Sequence, residues 1–112
     1  MTLEQILDVI RNDPDILANI THWQKLPEQP AQFADYPSSV SPDLIQKYQE
    51  RGIKKLYSHQ AAAIDAILQN KNVVVVTPTA SGKTLCYNIP VLNELIKNPE
   101  ARALYLFPTK AL

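Results

Sequence analysis

The chain has 112 residues, of which 46% are hydrophobic and 20% are charged, a composition typical of one globular domain rather than of a disordered segment. Eleven basic side chains balance eleven acidic ones, so the net charge points to neither a nucleic-acid nor a membrane partner. The lone Cys86 excludes an intramolecular disulfide and a four-cysteine zinc site within these residues. Together with the absence of a signal-like N-terminus or a long uncharged stretch, it favours a cytoplasmic protein without a membrane partner.

The first forty residues are predicted to form a helical and Pro-rich arm. Apolar residues recur at helical spacing from Leu3 to Ile10, with Thr2 as the N-cap and Pro14 just past the end. A second short helix is expected over residues 15–20. Four prolines between residues 27 and 42 then forbid a continuous helix and favour an extended path.

Two further helices are predicted after the arm. Ser41 is a suitable N-cap with Pro42 at the first helical position, and Gly52 suits the left-handed residue after that helix ends. The next helix is expected to have Ser58 as its N-cap and to continue until Asn70 begins a turn.

Residues 73–107 have the pattern of a strand, a loop, a helix and a second strand. The run from Val73 to Val76 is β-branched without polar alternation, as in a strand buried on both faces of a parallel sheet. Apolar residues recur at helical spacing from Leu85 to Ile96, and residues 103–107 form the second strand. The sequence therefore predicts an α/β fold with a parallel sheet flanked by helices.

The loop TPTASGKT, residues 77–84, has the chemistry of a phosphate-binding loop. In the pattern G-x-x-x-x-G-K-[ST], the second glycine lets the backbone approach the anion, the lysine reaches the β and γ phosphates, and the hydroxyl residue ligates Mg²⁺. Gly82, Lys83 and Thr84 occupy those positions, whereas Thr77 replaces the first glycine. Because a predicted strand ends just before the loop and a predicted helix begins at its end, we expect a nucleoside triphosphate with Mg²⁺ to bind here.

Three stretches resemble motifs of the superfamily 2 helicases, the DEAD/DEAH-box-like group. PTASGKT resembles their motif I, in which the first position is commonly not glycine, LYSHQ at residues 56–60 resembles the Q motif, and FPTKAL at residues 107–112 resembles motif Ia. Over nearly the whole chain the resemblance is closest to the RecQ-related subfamily with a C-terminal metal-binding cysteine cluster. It implies the start of a RecA-like P-loop domain in an ATP-dependent helicase that translocates 3′-to-5′ on nucleic acid, DNA rather than RNA.

The resemblance also implies a role for each matching residue. Gln60 is expected to pair through its amide with N6 and N7 of adenine, or else is simply a polar residue in the first turn of a helix. Tyr57 either packs over the base or anchors the loop to the core. Lys83 and Thr84 are the predicted catalytic residues, and Thr84 is the predicted Mg²⁺ ligand.

The predicted ATP site comprises Tyr57, Gln60, Thr79, Ala80, Ser81, Gly82, Lys83 and Thr84. The predicted nucleic-acid contacts, made with phosphates rather than with bases, are Pro108, Thr109 and Lys110. The alternative for this last group is an exposed lysine after a strand.

We expect residues 1–40 to be the arm and residues 41–112 to be the first part of the RecA-like domain in a longer enzyme. The expectation follows because no acidic pair for Mg²⁺ comes after the loop and no second RecA-like domain is present, and for the same reason these residues alone are not expected to hydrolyse ATP. Two other classes stay open. Another P-loop protein, such as a nucleotide kinase or a GTPase, needs neither Gln60 nor PTKAL, and in a non-enzymatic interaction module the arm would bind a partner. The sequence does not indicate the oligomeric state.

Overall fold

The computed structural model of the protein describes residues 1–78 and 81–108. The chain forms two compact units, Met1–Pro30 and Ala31–Leu112. Among the described helices, none combines the length and the apolar character that a membrane crossing needs.

The first unit contains two short helices with capped N-termini. Helix α1 spans Leu3–Asn12, and its predicted N-cap is confirmed. The Thr2 hydroxyl accepts a hydrogen bond from the Gln5 N–H at 3.3 Å, and the Gln5 side chain accepts one from the Thr2 N–H at 2.8 Å. Helix α2 spans Pro14–Leu17, shorter than predicted. Neither of these two described helices contains a buried residue, and on the apolar face of α1 Leu3 and Ile6 are exposed while Leu7 and Ile10 are half-buried.

The second unit packs three helices around a short two-stranded sheet. Helices α3, α4 and α5 span Pro42–Glu50, Ser58–Leu68 and Lys83–Lys97. Strands β1 and β2, Phe33–Ala34 and Leu56–Tyr57, pair in antiparallel fashion with Phe33 opposite Tyr57. The buried core of this unit consists of Val40, Leu44, Leu56, Ala61, Ile64 and Ile89.

Helix α3 is tied to α5 by a buried asparagine. Asn93 is fully buried; its Oδ1 accepts a hydrogen bond from the Ser41 N–H at 2.7 Å, and its Nδ2 donates to the Ser39 carbonyl at 3.3 Å. Ser41 is the N-cap of α3, and Gly52 follows the helix with a φ of +93°, both as predicted. The amide of Asn93 therefore accepts from the N–H of the N-cap residue, as the Glu or Gln of a capping box would, and joins two helices that are far apart in sequence.

Helix α4 is capped one residue earlier than predicted. Tyr57 is the N-cap, and Ser58 is the first helical residue. The side chain of Gln60 accepts a hydrogen bond from the Tyr57 N–H at 2.8 Å, and the Ser58 N–H donates to the Gln32 carbonyl at 2.8 Å. The prediction for Ser58 was wrong by one residue: the hydrogen bond from the Ser58 N–H to the Gln32 carbonyl continues the pairing of β1 with β2, and the helix begins directly at Ser58.

The predicted parallel strands do not form a ladder among the described residues. Residues 73–76 and 103–107 lie outside regular secondary structure, and the sheet that is present, β1 with β2, is antiparallel. A parallel sheet needs cover on both faces, and an isolated pair of strands is only marginally stable. In residues 73–76 the burial of the side chains nevertheless alternates as in a strand, because Val73 and Val75 are half-buried and the two valines after them are exposed. The apolar side chains that are 84–89% exposed are Val74, Val76, Leu104 and Leu106.

Candidate nucleotide-binding site

The predicted phosphate loop ends at the N-terminus of helix α5. Gly82 is the N-cap and has a φ of +74°, in the left-handed region that glycine adopts without strain. A Cβ atom at this position would lie 2.5 Å from Nε2 of Gln60, so a side chain here would force the Gln60 amide to move. Lys83 and Thr84 are the first residues of α5, where backbone N–H groups lack partners within the helix and the positive end of the helix dipole lies. The end of the loop is therefore suited to an anion.

Gln60 connects the start of α4 to the phosphate loop. Its Oε1 accepts from the Tyr57 N–H, and its Nε2 donates to the Gly82 carbonyl, both at 2.8 Å. The side chain is 2% exposed. The structure therefore brings together the residue predicted to bind adenine and the glycine predicted to lie beside the phosphates.

A stack of three aromatic rings lies next to this contact. Tyr57 stacks on Phe33, with ring centroids 5.3 Å apart at 20°, and on His59, with centroids 5.9 Å apart at 9°. Nε2 of His59 lies 3.0 Å from the carbonyl oxygen of Ser81. Tyr57 is 39% exposed although two rings stack on it, so it anchors these rings, and its packing over a base stays a prediction.

The loop is closed by contacts among its own residues. The hydroxyl groups of Thr77 and Ser81 are hydrogen-bonded to each other, and the Lys83 ammonium donates to the Pro78 carbonyl at 3.0 Å. Thr77 thus supplies a hydroxyl where the general pattern has glycine. A phosphate chain entering the loop would compete with this carbonyl for the Lys83 ammonium, which has three N–H donors.

The remaining predicted residues are only partly covered by the structure. Thr84 is exposed in the first turn of α5, and Pro108 is exposed after the second predicted strand. The other predicted residues, for ATP and for nucleic acid, lie outside the described residues: Thr79, Ala80, Thr109 and Lys110.

Two residues at the site were missed by the sequence analysis, Phe33 and His59. His59 could have been identified from the sequence, because it directly precedes Gln60 in the first turn of a helix. Phe33 reaches the site only because β1 pairs with β2, and a pairing of two residues per strand leaves no recognisable pattern.

Cys86 is buried in α5 one turn after Lys83. Burial raises the pKa of the Cys86 thiol, against the opposing effects of a backbone hydrogen bond and of the Lys83 charge. The thiol is therefore a poor nucleophile, in agreement with a structural role.

Comparison with known proteins gives a consistent set of relatives. The sequence profile of the family described as DEAD/DEAH box helicase matches residues 57–112. The ATP-dependent helicase YprA of Bacillus subtilis is 44% identical over 94 residues, which are 84% of this chain and 13% of that protein. The ATP-dependent helicase HRQ1 of Saccharomyces cerevisiae is 33% identical over 111 residues, which are 99% of this chain and 10% of that protein.

A solved structure is also similar. It is the crystal structure of the DUF1998 helicase MrfA bound to DNA and AMPPNP, with a TM-score of 0.82 and 37% sequence identity over 99% of this chain and 15% of that one. The chain thus spans 10–15% of the length of these three relatives.

Proposed function

The chain belongs to the DEAD/DEAH box helicase family, and from that premise we propose that it forms the nucleotide-binding start of an ATP-dependent helicase that acts on DNA. The similarity to MrfA supports the α/β fold of a RecA-like domain. In this proposal residues 41–112 begin that domain and residues 1–40 are an arm that precedes it. Residues 73–76 and 103–107 become strands of a parallel sheet when neighbouring strands pair with them.

One observation carries the proposal: the hydrogen bond between Gln60 and the Gly82 carbonyl. Gln60 was assigned to the adenine and Gly82 to the phosphates from separate stretches of sequence, 22 residues apart. Their direct contact supports a single nucleotide that binds both residues. A chance G-K-T sequence would give no reason for this contact.

The residues present fit ATP with Mg²⁺. The glycine at the loop end leaves no room for a side chain, and the helix N-terminus offers unpaired N–H groups to an anion. Lys83 would exchange the Pro78 carbonyl for the β and γ phosphates, and the Thr84 hydroxyl would ligate Mg²⁺. ATP supplies the phosphoanhydride bond, and Mg²⁺ neutralises the charge that develops on its phosphates.

DNA is the nucleic acid that we propose as the partner. The support is that the similar MrfA structure contains DNA. Pro108, Thr109 and Lys110 would contact phosphates of one strand, which gives binding without sequence preference. We also propose membership of the RecQ-related subfamily with its cysteine cluster and 3′-to-5′ movement. Duplexes with a 3′ or a 5′ single-stranded tail test the direction, because only the 3′-tailed duplex should be unwound.

The proposed function is tested by an ATPase assay on the full-length protein with and without single-stranded DNA. Lys83→Ala should abolish the DNA-stimulated rate, because the variant lacks the charge that binds the β and γ phosphates. Lys97→Ala is the matched control, since Lys97 is exposed in the last turn of the same helix and should retain the rate. Equal rates for the wild type and Lys83→Ala would refute the proposal, and stimulation by RNA alone would refute the choice of DNA.

A further inference from the structure

On the premise of the proposed nucleotide site, we propose that His59 is a positioning residue for the phosphate loop. Its imidazole holds the Ser81 carbonyl and thereby orients the backbone N–H group that follows. His59 itself need not touch the nucleotide.

The hydrogen bond assigns a proton to one ring nitrogen. Nε2 of His59 lies 3.0 Å from the Ser81 carbonyl oxygen, and a carbonyl oxygen can only accept. Nε2 therefore carries a hydrogen, in the neutral ring as well as in the imidazolium. The contact is thus available in either protonation state of the side chain.

The aromatic neighbours hold the imidazole in place. The ring of Tyr57 lies nearly parallel to it, and Tyr57 in turn stacks on Phe33, its partner across the two-stranded sheet. A ring restrained in this way loses little freedom when it binds the loop. The pairing of β1 with β2 therefore helps to restrain the His59 ring, through Phe33 and Tyr57.

Planar peptide bonds transmit the contact to the side of the loop that would face an anion. The described peptide bonds are all trans, and in a trans peptide the carbonyl oxygen and the following N–H point in opposite directions. A fixed Ser81 oxygen therefore directs the Gly82 N–H away from α4. Gln60 does the same for the Lys83 N–H by holding the Gly82 oxygen. Two neighbouring side chains of α4 thus orient two consecutive donors at the start of α5.

Gln60 and His59 differ in the further hydrogen bonds that their side chains can make. Gln60 has an amide that can pair with adenine, whereas the Nε2–H of His59 is already used by the loop. Loss of the His59 donor should therefore weaken the binding of all nucleotides by the same factor and leave the preference among bases unchanged.

The test uses two substitutions in the full-length protein. His59→Phe keeps an aromatic ring to stack on Tyr57 and removes the donor, whereas His59→Gln keeps an N–H donor without the ring. The dissociation constants of ADP and GDP are measured by titration calorimetry, and KM and kcat for ATP are measured with single-stranded DNA. We expect His59→Phe to raise both dissociation constants and KM about 2- to 10-fold, with kcat nearly unchanged, and His59→Gln to restore most of the loss.

Three outcomes would overturn the inference: wild-type affinities in His59→Phe, equal losses in His59→Phe and His59→Gln, or a changed preference between ADP and GDP. If His59→Phe does not fold, as judged by its thermal unfolding curve, His59→Ala compared with His59→Gln decides in the same way. A wild type without DNA-stimulated hydrolysis would refute the proposed function, yet the ADP and GDP titrations would still decide the role of His59. A wild type that binds neither nucleotide would overturn both.

Discussion

Gln60→Leu is expected to lower both the affinity for nucleotides and the preference for adenine. An amide can donate two hydrogen bonds and accept two. In Gln60 one acceptor position is used by the Tyr57 N–H and one donor by the Gly82 carbonyl. One donor and one acceptor remain, which is what the Hoogsteen edge of adenine requires. Because the residue is only 2% exposed, the base has to displace the atoms that cover the amide.

The size of the effect follows from counting these bonds. The bond from Gln60 to the Gly82 carbonyl holds the loop, and the bond from the Tyr57 N–H holds the Gln60 amide in place. Each contributes about 0.5–1.5 kcal/mol, and their loss weakens the binding of ATP and of GTP alike. A bidentate pair with adenine contributes about 1–3 kcal/mol more, and only ATP loses it. The ratio of ATP affinity to GTP affinity should therefore fall roughly 5- to 150-fold in Gln60→Leu, on top of a common loss.

The assay is titration calorimetry of the full-length protein with non-hydrolysable ATP and GTP analogues. Gln69→Leu is the matched control, because Gln69 is an exposed glutamine at the other end of α4 and its side chain, within the described part of the chain, bonds to Asp65 alone. An unchanged ratio with weaker binding of both analogues would refute adenine recognition and leave Gln60 with a structural role. An unchanged ratio with unchanged affinities would refute the role in the loop as well.

Three further substitutions or reactions test other parts of the structure. Gly82→Ala should weaken nucleotide binding by at least about 1–2 kcal/mol in the same titration, because alanine disfavours a positive φ and its Cβ meets Gln60; wild-type affinity would contradict the loop geometry. Asn93→Leu should lower the free energy of unfolding in urea by about 1–3 kcal/mol, since it leaves the partly buried Ser41 N–H unpaired, and an unchanged midpoint would argue against that contact. Cys86 should react with iodoacetamide more slowly in the folded than in the unfolded protein at pH 8, because burial raises the pKa of the thiol and so reduces the thiolate fraction; equal rates would contradict its burial.

The sequence predicted those features that depend on a few neighbouring residues. Thr2 as an N-cap and Gly52 after α3 were predicted correctly, because capping and left-handed geometry are properties of single positions. Gly82 likewise has the conformation that its place in the loop pattern requires. The roles assigned to the nucleotide-binding residues stay predictions that the titrations above would test.

The features that the sequence did not predict depend on distant contacts. The hydrogen bond between His59 and Ser81 joins residues that are 22 positions apart. The hydrogen bond between Asn93 and Ser41 joins residues that are 52 positions apart. No local sequence pattern encodes either contact. The strand predicted for residues 73–76 does not pair among the described residues, for a different reason. An apolar run indicates that a segment can be buried on both faces, but cover for one of those faces is not provided by the described residues.

The exposed aliphatic side chains of residues 73–76 and 103–107 create a risk of association while the chain is being translated. In the longer enzyme that we propose, cover from a later segment arrives only after that segment has been synthesised, and each hundred residues take on the order of 5–20 s. During that interval a β-branched run without charges and with unpaired backbone is a template for association with other nascent chains. A holding chaperone that binds Val73–Val76 during translation would therefore protect the same strand that leads into the phosphate loop.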